Sequence, residues 1–210
     1  LRWVIIINFV RIFFDIICST QMRKNKFFCY IILILSMFFF TTKSNSNYEK
    51  TFFDFSMKSI NGDLINFSDF KNKKAILLVN TASYCGFTNQ YQEMQNIWDK
   101  YKNNGLLVIA VPSKTFNQEK DNEEEIKEFC EVNFNINFPI TSIYDVKGDD
   151  AHEIFKWAKK NYGSSAVPKW NFHKILINKD GKIEETYSSF TKPNSNKILK
   201  KLEQLLEIKS

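Results

Sequence analysis

Apolar and polar positions alternate, or run continuously, in several short segments after residue 45, and these segments predict β-strands. Residues 51–70 alternate around Asn61-Gly62-Asp63, which predicts a β-hairpin. Two continuous apolar runs, 75–80 and 106–111, are typical of strands buried on both faces of a sheet. The remaining predicted strands are 138–141 and the two arms of a second hairpin, 172–178 and 182–187.

Apolar residues at helical spacing predict four amphipathic helices between and after these strands. The first ends at Asn103-Asn104-Gly105, and the second begins at Asn122, where three glutamates suit a helix N-terminus. The predicted helices cover residues 91–101, 122–134, 149–160 and 195–208. The order β-β-β-α-β-α-β-α-β-β-α places helices around a central mixed β-sheet. We therefore predict an α/β protein with a thioredoxin-like fold and an N-terminal β-hairpin, formed by residues 45–210.

The segment 22–44 has the pattern of a targeting sequence. Basic residues follow Met22, a fourteen-residue apolar run extends from Phe27 to Phe40, and small polar residues come next. Such a run spans about 21 Å as a helix, short of the roughly 30 Å hydrocarbon core of a bilayer. We predict a secretory signal peptide, so that the protein is periplasmic or secreted. The alternatives are a retained anchor, which would be the protein's contact with the membrane, and a buried helix.

Residues 1–21 match no element that the rest of the chain needs. They are apolar but interrupted by Arg2, Asn8, Arg11 and Asp15. We interpret this stretch as an over-extended reading frame whose true start is Met22. The alternative is an amphipathic or membrane-associated segment, and N-terminal sequencing of the native protein distinguishes the two.

Charge is distributed unevenly along the chain. Of 29 Lys and Arg residues, six lie in residues 1–44 beside a single acid, which leaves 23 Lys, no Arg and 22 acids in residues 45–210. A nearly neutral domain has no electrostatic footprint for nucleic acid. No CxxC pair, HExxH motif or Gly-rich phosphate loop occurs, so we expect no metal site. His152 and His173 stand far apart and are interpreted as surface or local structural residues.

One cysteine, Cys85, stands where a reactive thiol is favoured. It follows the predicted strand 75–80 by five residues and precedes the first helix. The positive end of a helix dipole and free backbone N–H groups favour a thiolate, which is the nucleophilic form. Gly86 leaves room for a small substrate. The alternative is a buried structural cysteine, a common role for this residue type.

Four segments resemble, in order, the motifs of the glutathione peroxidase family. They are NTASYCGFT at 80–88, VP with FNQE at 111–119, KGDDAH through KW at 147–157, and WNFHK at 170–174. The resemblance covers residues 48–206. It implies a thiol peroxidase that reduces hydrogen peroxide and organic hydroperoxides, in antioxidant defence and the response to oxidative stress.

The resemblance implies a catalytic tetrad of Cys85, Gln118, Trp170 and Asn171. In such a site the thiolate attacks the O–O bond, releases water or an alcohol, and becomes a sulfenic acid. The indole and the two amides can donate hydrogen bonds to the thiolate and to the departing oxygen. A thiol reductant is implied as co-substrate, and no other cofactor. The alternative for the last three residues is a core aromatic and two ordinary polar loop residues.

Two features depart from the family pattern. The family's Pro-Cys-Asn-Gln-Phe is Pro-Ser-Lys-Thr-Phe at 112–116, and the step from Phe116 to Gln118 is one residue shorter than usual. Cys85 stands where many relatives carry selenocysteine, which implies slower reaction with peroxide.

A second cysteine, Cys130, lies in the predicted helix 122–134 and is the candidate resolving residue. It stands one position before the place that the family's resolving cysteine occupies, which Glu131 holds. Its alternative role is packing in the core. Cys18 and Cys29 lie in the leader and are expected to be absent from the mature protein.

Assembly and partners follow from the resemblance and the composition. The segment between Trp157 and Trp170 is short, as in monomeric members of the family, so we expect a monomer. Glutathione carries two carboxylates, for which Arg is a better partner than Lys. Because residues 45–210 contain no Arg, a thioredoxin-like reductant is favoured over glutathione.

Two other classes of function remain open at this point. An exported thioredoxin-fold metallochaperone would usually need a second cysteine near Cys85, and none occurs between Gly86 and Phe129. A non-catalytic interaction domain is the other class, and the presence of all four tetrad residues counts against it.

Overall fold

A small hairpin opens the described part of the chain, which in this computed structural model comprises residues 48–208. Strand β1 (Ser56–Lys58) pairs antiparallel with β2 (Leu64–Asn66). Gly62 in the connecting turn has a φ of +90°, a value that glycine adopts without steric cost. The predicted N-terminal hairpin is therefore confirmed.

Four further strands form the central sheet: β3 (Ala75–Thr81), β4 (Leu106–Pro112), β5 (Lys174–Asn178) and β6 (Ile183–Tyr187). Their order across the sheet is β4-β3-β5-β6. Strand β3 is parallel to β4 and antiparallel to β5, and β6 is antiparallel to β5. The mixed sheet and its predicted parallel pair are confirmed. Every residue of β3 and β4 is buried, as expected from their continuous apolar sequences.

Helices pack on both faces of this sheet: α1 (Gln90–Tyr101), α2 (Glu123–Phe134), α3 (Glu153–Tyr162) and α4 (Asn196–Leu205). Neighbouring side chains of a strand point to opposite faces. Leu77 therefore joins a core cluster with residues of α1, α2 and α4, while Leu78 joins one with α3 and the segment before β1. Helix α2 begins where the Asn122 side chain accepts a hydrogen bond from the Glu124 N–H.

Two expectations for the segment after α2 are wrong. Residues 138–141 form no strand and make only isolated bridges, to β4 and to the residue after β1. Pro139 has no N–H to donate, so a ladder cannot continue through it. Helix α3 begins at Glu153 rather than near residue 149, because the His152 side chain accepts the Ile154 N–H and caps the helix there.

Predictions for residues 1–44 lie outside the described residues. They concern the extension 1–21, the signal peptide or anchor 22–44, and the leader cysteines Cys18 and Cys29. Within residues 48–208, no helix is long and apolar enough to cross a membrane.

Candidate active site

Cys85 lies in a turn that joins β3 to α1. Its side chain is only 6% exposed, and the Phe87 N–H is directed at its Sγ at 3.5 Å. A Cβ placed on Gly86 would meet no atom within 4 Å, so the space beside the cysteine is open. The structure therefore places a shielded thiol next to an open approach, in the turn after the carboxyl end of a buried strand.

A second loop, which carries Gln118, is tied to the Cys85 turn through the main chain. The Tyr84 N–H donates to the Gln118 carbonyl at 2.9 Å. The residue before Gln118, Asn117, has a φ of +55°, a left-handed conformation that asparagine adopts more readily than most residues other than glycine. The Gln118 loop is thus held against the Cys85 turn by a main-chain hydrogen bond.

Asn80, at the end of β3, organises the third segment of the site. Its side-chain amide donates to the Trp170 carbonyl at 3.2 Å and its side-chain oxygen accepts from the His173 N–H at 3.0 Å. Its carbonyl also accepts from the Phe172 N–H at 2.6 Å. Phe172 has a φ of +61°, and these tertiary hydrogen bonds hold the chain in that strained conformation.

The two residues before Phe172 differ in exposure and in partners. Trp170 is 40% exposed, and its ring centroid lies 5.4 Å from that of Phe116. Asn171 is fully buried, and its amide Nδ2 donates to Gln118 Oε1 at 3.0 Å. Three segments that are distant in sequence thus meet at one end of the sheet, through the contacts of Gln118 with Tyr84 and Asn171.

Polar groups with shifted pKa values surround these contacts. Burial raises the pKa of the Glu119 carboxyl, and its hydrogen bonds to Ser83 and Lys120 oppose the rise. Burial also lowers the pKa of Lys174 to about 7. The Lys174 ammonium nevertheless has acceptors in the Phe172 carbonyl at 2.7 Å and the Gln90 side chain, which favour its charged form.

Sequence reasoning assigned no role to Asn80, Glu119 or Lys174. Asn80 and Lys174 had a detectable signal, since each is a polar residue within or beside an apolar strand sequence. Such a residue requires hydrogen-bond partners when the strand is buried. Glu119 had a weaker signal, its position next to Gln118.

Cys130 lies on α2 and is fully buried in the core cluster between α1 and α2. Burial raises the pKa of its thiol to about 12. Its thiol is therefore almost entirely protonated at neutral pH while the helix stays folded.

His173 is buried, so of the two expected roles the local structural one applies. Burial, with the charges of Lys174 and Lys169, lowers its pKa to about 4. In the unfolded state the imidazole has its ordinary pKa of about 6.5, so below that pH unfolding takes up a proton. The contribution of His173 to stability is therefore complete above pH 6.5 and is lost as the pH falls towards 4. We expect urea unfolding to show that the free energy of unfolding falls between pH 7 and pH 4 in both proteins. The fall is expected to be smaller for His173→Asn than for wild type, by up to about 3 kcal/mol. Equal losses in both proteins would contradict this assignment.

A thiol between a central strand and the following helix, within a thioredoxin-like sheet, is the arrangement that thiol-dependent oxidoreductases use. A family model described as glutathione peroxidase matches residues 52–159. The glutathione peroxidase-like peroxiredoxin gpx1 of Schizosaccharomyces pombe is 39% identical over 146 residues, which are 68% of this chain and 91% of the relative. The glutathione peroxidase homolog BsaA of Halalkalibacterium halodurans is 40% identical over 156 residues, 73% of this chain and 98% of the relative. The chain belongs to the glutathione peroxidase family.

Solved structures agree with this assignment. The structure of Trgpx in apo form has a TM-score of 0.60 and 31% identity, covering 76% of this chain and 97% of that one. The structure of T. cruzi GPX1 has a TM-score of 0.58 and 28% identity, covering 75% and 97%. In residues 48–208 no group of three or more His, Cys, Asp or Glu side chains is placed to hold a metal ion.

Proposed function

We propose that this protein reduces peroxides with Cys85 as the attacking thiolate and with Gln118, Trp170 and Asn171 as hydrogen-bond donors. The observation that carries the proposal is the joining of the Cys85 turn to the Gln118–Asn171 pair by the Tyr84–Gln118 main-chain hydrogen bond. Family membership favours this function over a metallochaperone or a non-catalytic domain.

In the proposed reaction the Cys85 sulfur attacks one peroxide oxygen and the O–O bond breaks. The departing oxygen takes a proton and leaves as water or an alcohol, and Cys85 becomes a sulfenic acid. Gln118 Oε1 already accepts from Asn171, so the Gln118 NH₂ group is left to donate in another direction. Donors that are held in place before reaction stabilise charge as it develops on the departing oxygen.

We extend the proposal to organic hydroperoxides as well as hydrogen peroxide. A cavity of about 340 Å³ lies beside Trp170 and is lined in part by Val167, Thr186 and Phe190. Such a surface suits the carbon chain of an organic hydroperoxide. A relative in Synechocystis, 36% identical over 165 residues, is named a hydroperoxy fatty acid reductase, which supports the same substrate class.

We propose a thioredoxin-like protein rather than glutathione as the reductant. The domain has no Arg to pair with the two carboxylates of glutathione. Aromatic side chains that suit a protein partner lie around the Cys85 turn. Tyr84 is 65% exposed, and Phe190 is 83% exposed and contacts Phe87 edge-on.

The direct test is peroxide consumption by the full chain with thioredoxin and with glutathione as alternative reductants. We expect faster turnover with thioredoxin, and turnover of both hydrogen peroxide and cumene hydroperoxide. No consumption with either reductant would refute the peroxidase proposal. Faster turnover with glutathione would refute only the choice of reductant.

Cys130 is proposed to act as a packing residue, so that the external thiol attacks the Cys85 sulfenic acid directly. That attack releases water and forms a mixed disulfide, which the second thiol of the reductant resolves. We expect Cys130→Ala to retain thioredoxin-driven turnover within about threefold, because a buried thiol of pKa about 12 is a poor attacking group. A Cys85–Cys130 disulfide in the peroxide-treated wild type, found by peptide mass mapping, would contradict this role.

Export and a monomeric state complete the proposal. The leader pattern of residues 22–44 supports export, and the short connection between α3 and Trp170 supports a monomer. Mass measurement of the native protein tests the first, and light scattering tests the second. An unprocessed leader or a stable tetramer would contradict them.

A further inference from the structure

Glu119 is a buried carboxylate that bonds to the main chain of the Cys85 turn. Its residue is 9% exposed, and its Oε1 accepts the Ser83 N–H and the Lys120 N–H, each at 2.9 Å. Ser83 lies 36 residues away in sequence, so this is a tertiary contact rather than a local turn. Its neighbours Asp121 and Glu125 form ion pairs with Lys114 and Lys120, whereas within residues 48–208 no ion pair of Glu119 is found.

Two consecutive residues of the Gln118 loop thus accept hydrogen bonds from the N–H groups of two consecutive residues of the Cys85 turn. Glu119 accepts from Ser83, and Gln118 accepts from Tyr84, immediately before Cys85. Two adjacent bonds restrict both the separation and the relative rotation of the loops, whereas a single bond would leave them free to pivot. The carboxyl oxygen can accept these N–H groups whether the acid is ionised or protonated.

We propose that Glu119 is a positioning residue that keeps the Gln118 amide in register with the Cys85 thiol. This inference rests on the proposed function. Loss of the carboxyl would leave the buried Ser83 N–H without an acceptor and remove one of the two bonds between the loops. The Gln118 donor would then be misplaced at the moment of O–O cleavage, while the thiol itself would be unchanged.

The test measures the second-order rate of Cys85 oxidation by hydrogen peroxide in a single turnover of the full chain. Glu119→Met conserves volume but removes the acceptor, and we expect its rate to fall by about 10–100-fold. Glu119→Gln keeps an acceptor oxygen and is expected to stay within about threefold of wild type. Alkylation of Cys85 by iodoacetamide, which needs no donor to a departing oxygen, is expected to change by less than about threefold in both variants.

A double-mutant cycle identifies the residue through which Glu119 acts. If Glu119 acts through Gln118, the rate of Gln118→Ala/Glu119→Met equals that of Gln118→Ala alone. If instead the rate loss of the double variant equals the product of the losses of the two single variants, the proposal is contradicted. An unreactive wild type would instead refute the peroxidase function itself, so the two failures are distinguishable.

Glu123 provides the matched control, since its Oε1 also accepts a main-chain N–H, that of Ile143, at a distance of 2.9 Å. This hydrogen bond does not involve the Cys85 turn. We expect Glu123→Ala to lower the melting temperature and to leave the peroxide rate unchanged. A Glu119→Met variant that behaves in the same way would contradict a positioning role. Glu119→Ala is made in parallel as a second variant without the acceptor. If neither Glu119→Met nor Glu119→Ala folds while Glu119→Gln does, Glu119 is a determinant of the fold, and the positioning role is contradicted.

Discussion

Cys85→Ser is expected to reduce peroxide turnover to the background of the uncatalysed reaction. A serine hydroxyl stays protonated at neutral pH and is a far weaker nucleophile than a thiolate. The substitution changes one atom, so the turn, with its Phe87 N–H directed at that atom, is expected to remain folded. The measurement is steady-state consumption of hydrogen peroxide with a thiol reductant, together with circular dichroism to verify the fold.

The second cysteine makes an internal control for this prediction. Cys130→Ser removes a thiol that is buried on α2, and its turnover is expected to match that of wild type. Alkylation of the folded wild type is expected to label Cys85 first, because the Cys130 thiol is buried and has a pKa of about 12. Equal turnover by wild type and Cys85→Ser, or equal labelling of both cysteines, would contradict the assignment of Cys85.

Gln118→Ala is expected to slow the reaction of Cys85 with peroxide by about 10²–10³-fold, the usual cost of removing one preorganised donor. It also removes the acceptor of the Asn171 amide, a fully buried group. Leaving such a group without a partner costs about 1–3 kcal/mol of unfolding free energy. Stopped-flow oxidation and urea unfolding measure the two effects separately.

Gln95→Ala separates loss of the donor from loss of a buried amide in general. Gln95 is buried on α1, where it accepts from the Asn137 N–H and donates to Asp99. We expect this variant to lose stability but to react with peroxide at the wild-type rate. Unchanged oxidation of Gln118→Ala would show that the shortened loop after Phe116 places a different residue at the site.

The regular elements around the Cys85 turn could be predicted from the sequence because their signals are local. The apolar run at 75–80 is explained by a strand buried on both faces, and the spacing of Tyr91 and Met94 by the face of α1 that packs on it. The same local pattern located Cys85 in the turn that follows the strand. Where a local signal was weak, as around Pro139, the prediction of a strand was wrong.

The convergence of the candidate site residues was decided by tertiary structure, since two of its turns use left-handed backbone at Asn117 and Phe172. Asparagine tolerates this conformation better than most residues, so Asn117 carries a weak local signal. Phe172 carries none, and its conformation is sustained by the long-range hydrogen bonds that Asn80 accepts from the Phe172 and His173 N–H groups. The sequence by itself determined the strands of both sheets, the four helices apart from the start of α3, and the position of the thiol, because hydrophobic periodicity is a property of neighbouring residues. Only the tertiary structure decided that Gln118 meets Asn171 and that Glu119 bonds to the Cys85 turn, because these hydrogen bonds join groups that are brought together only when the sheet is complete.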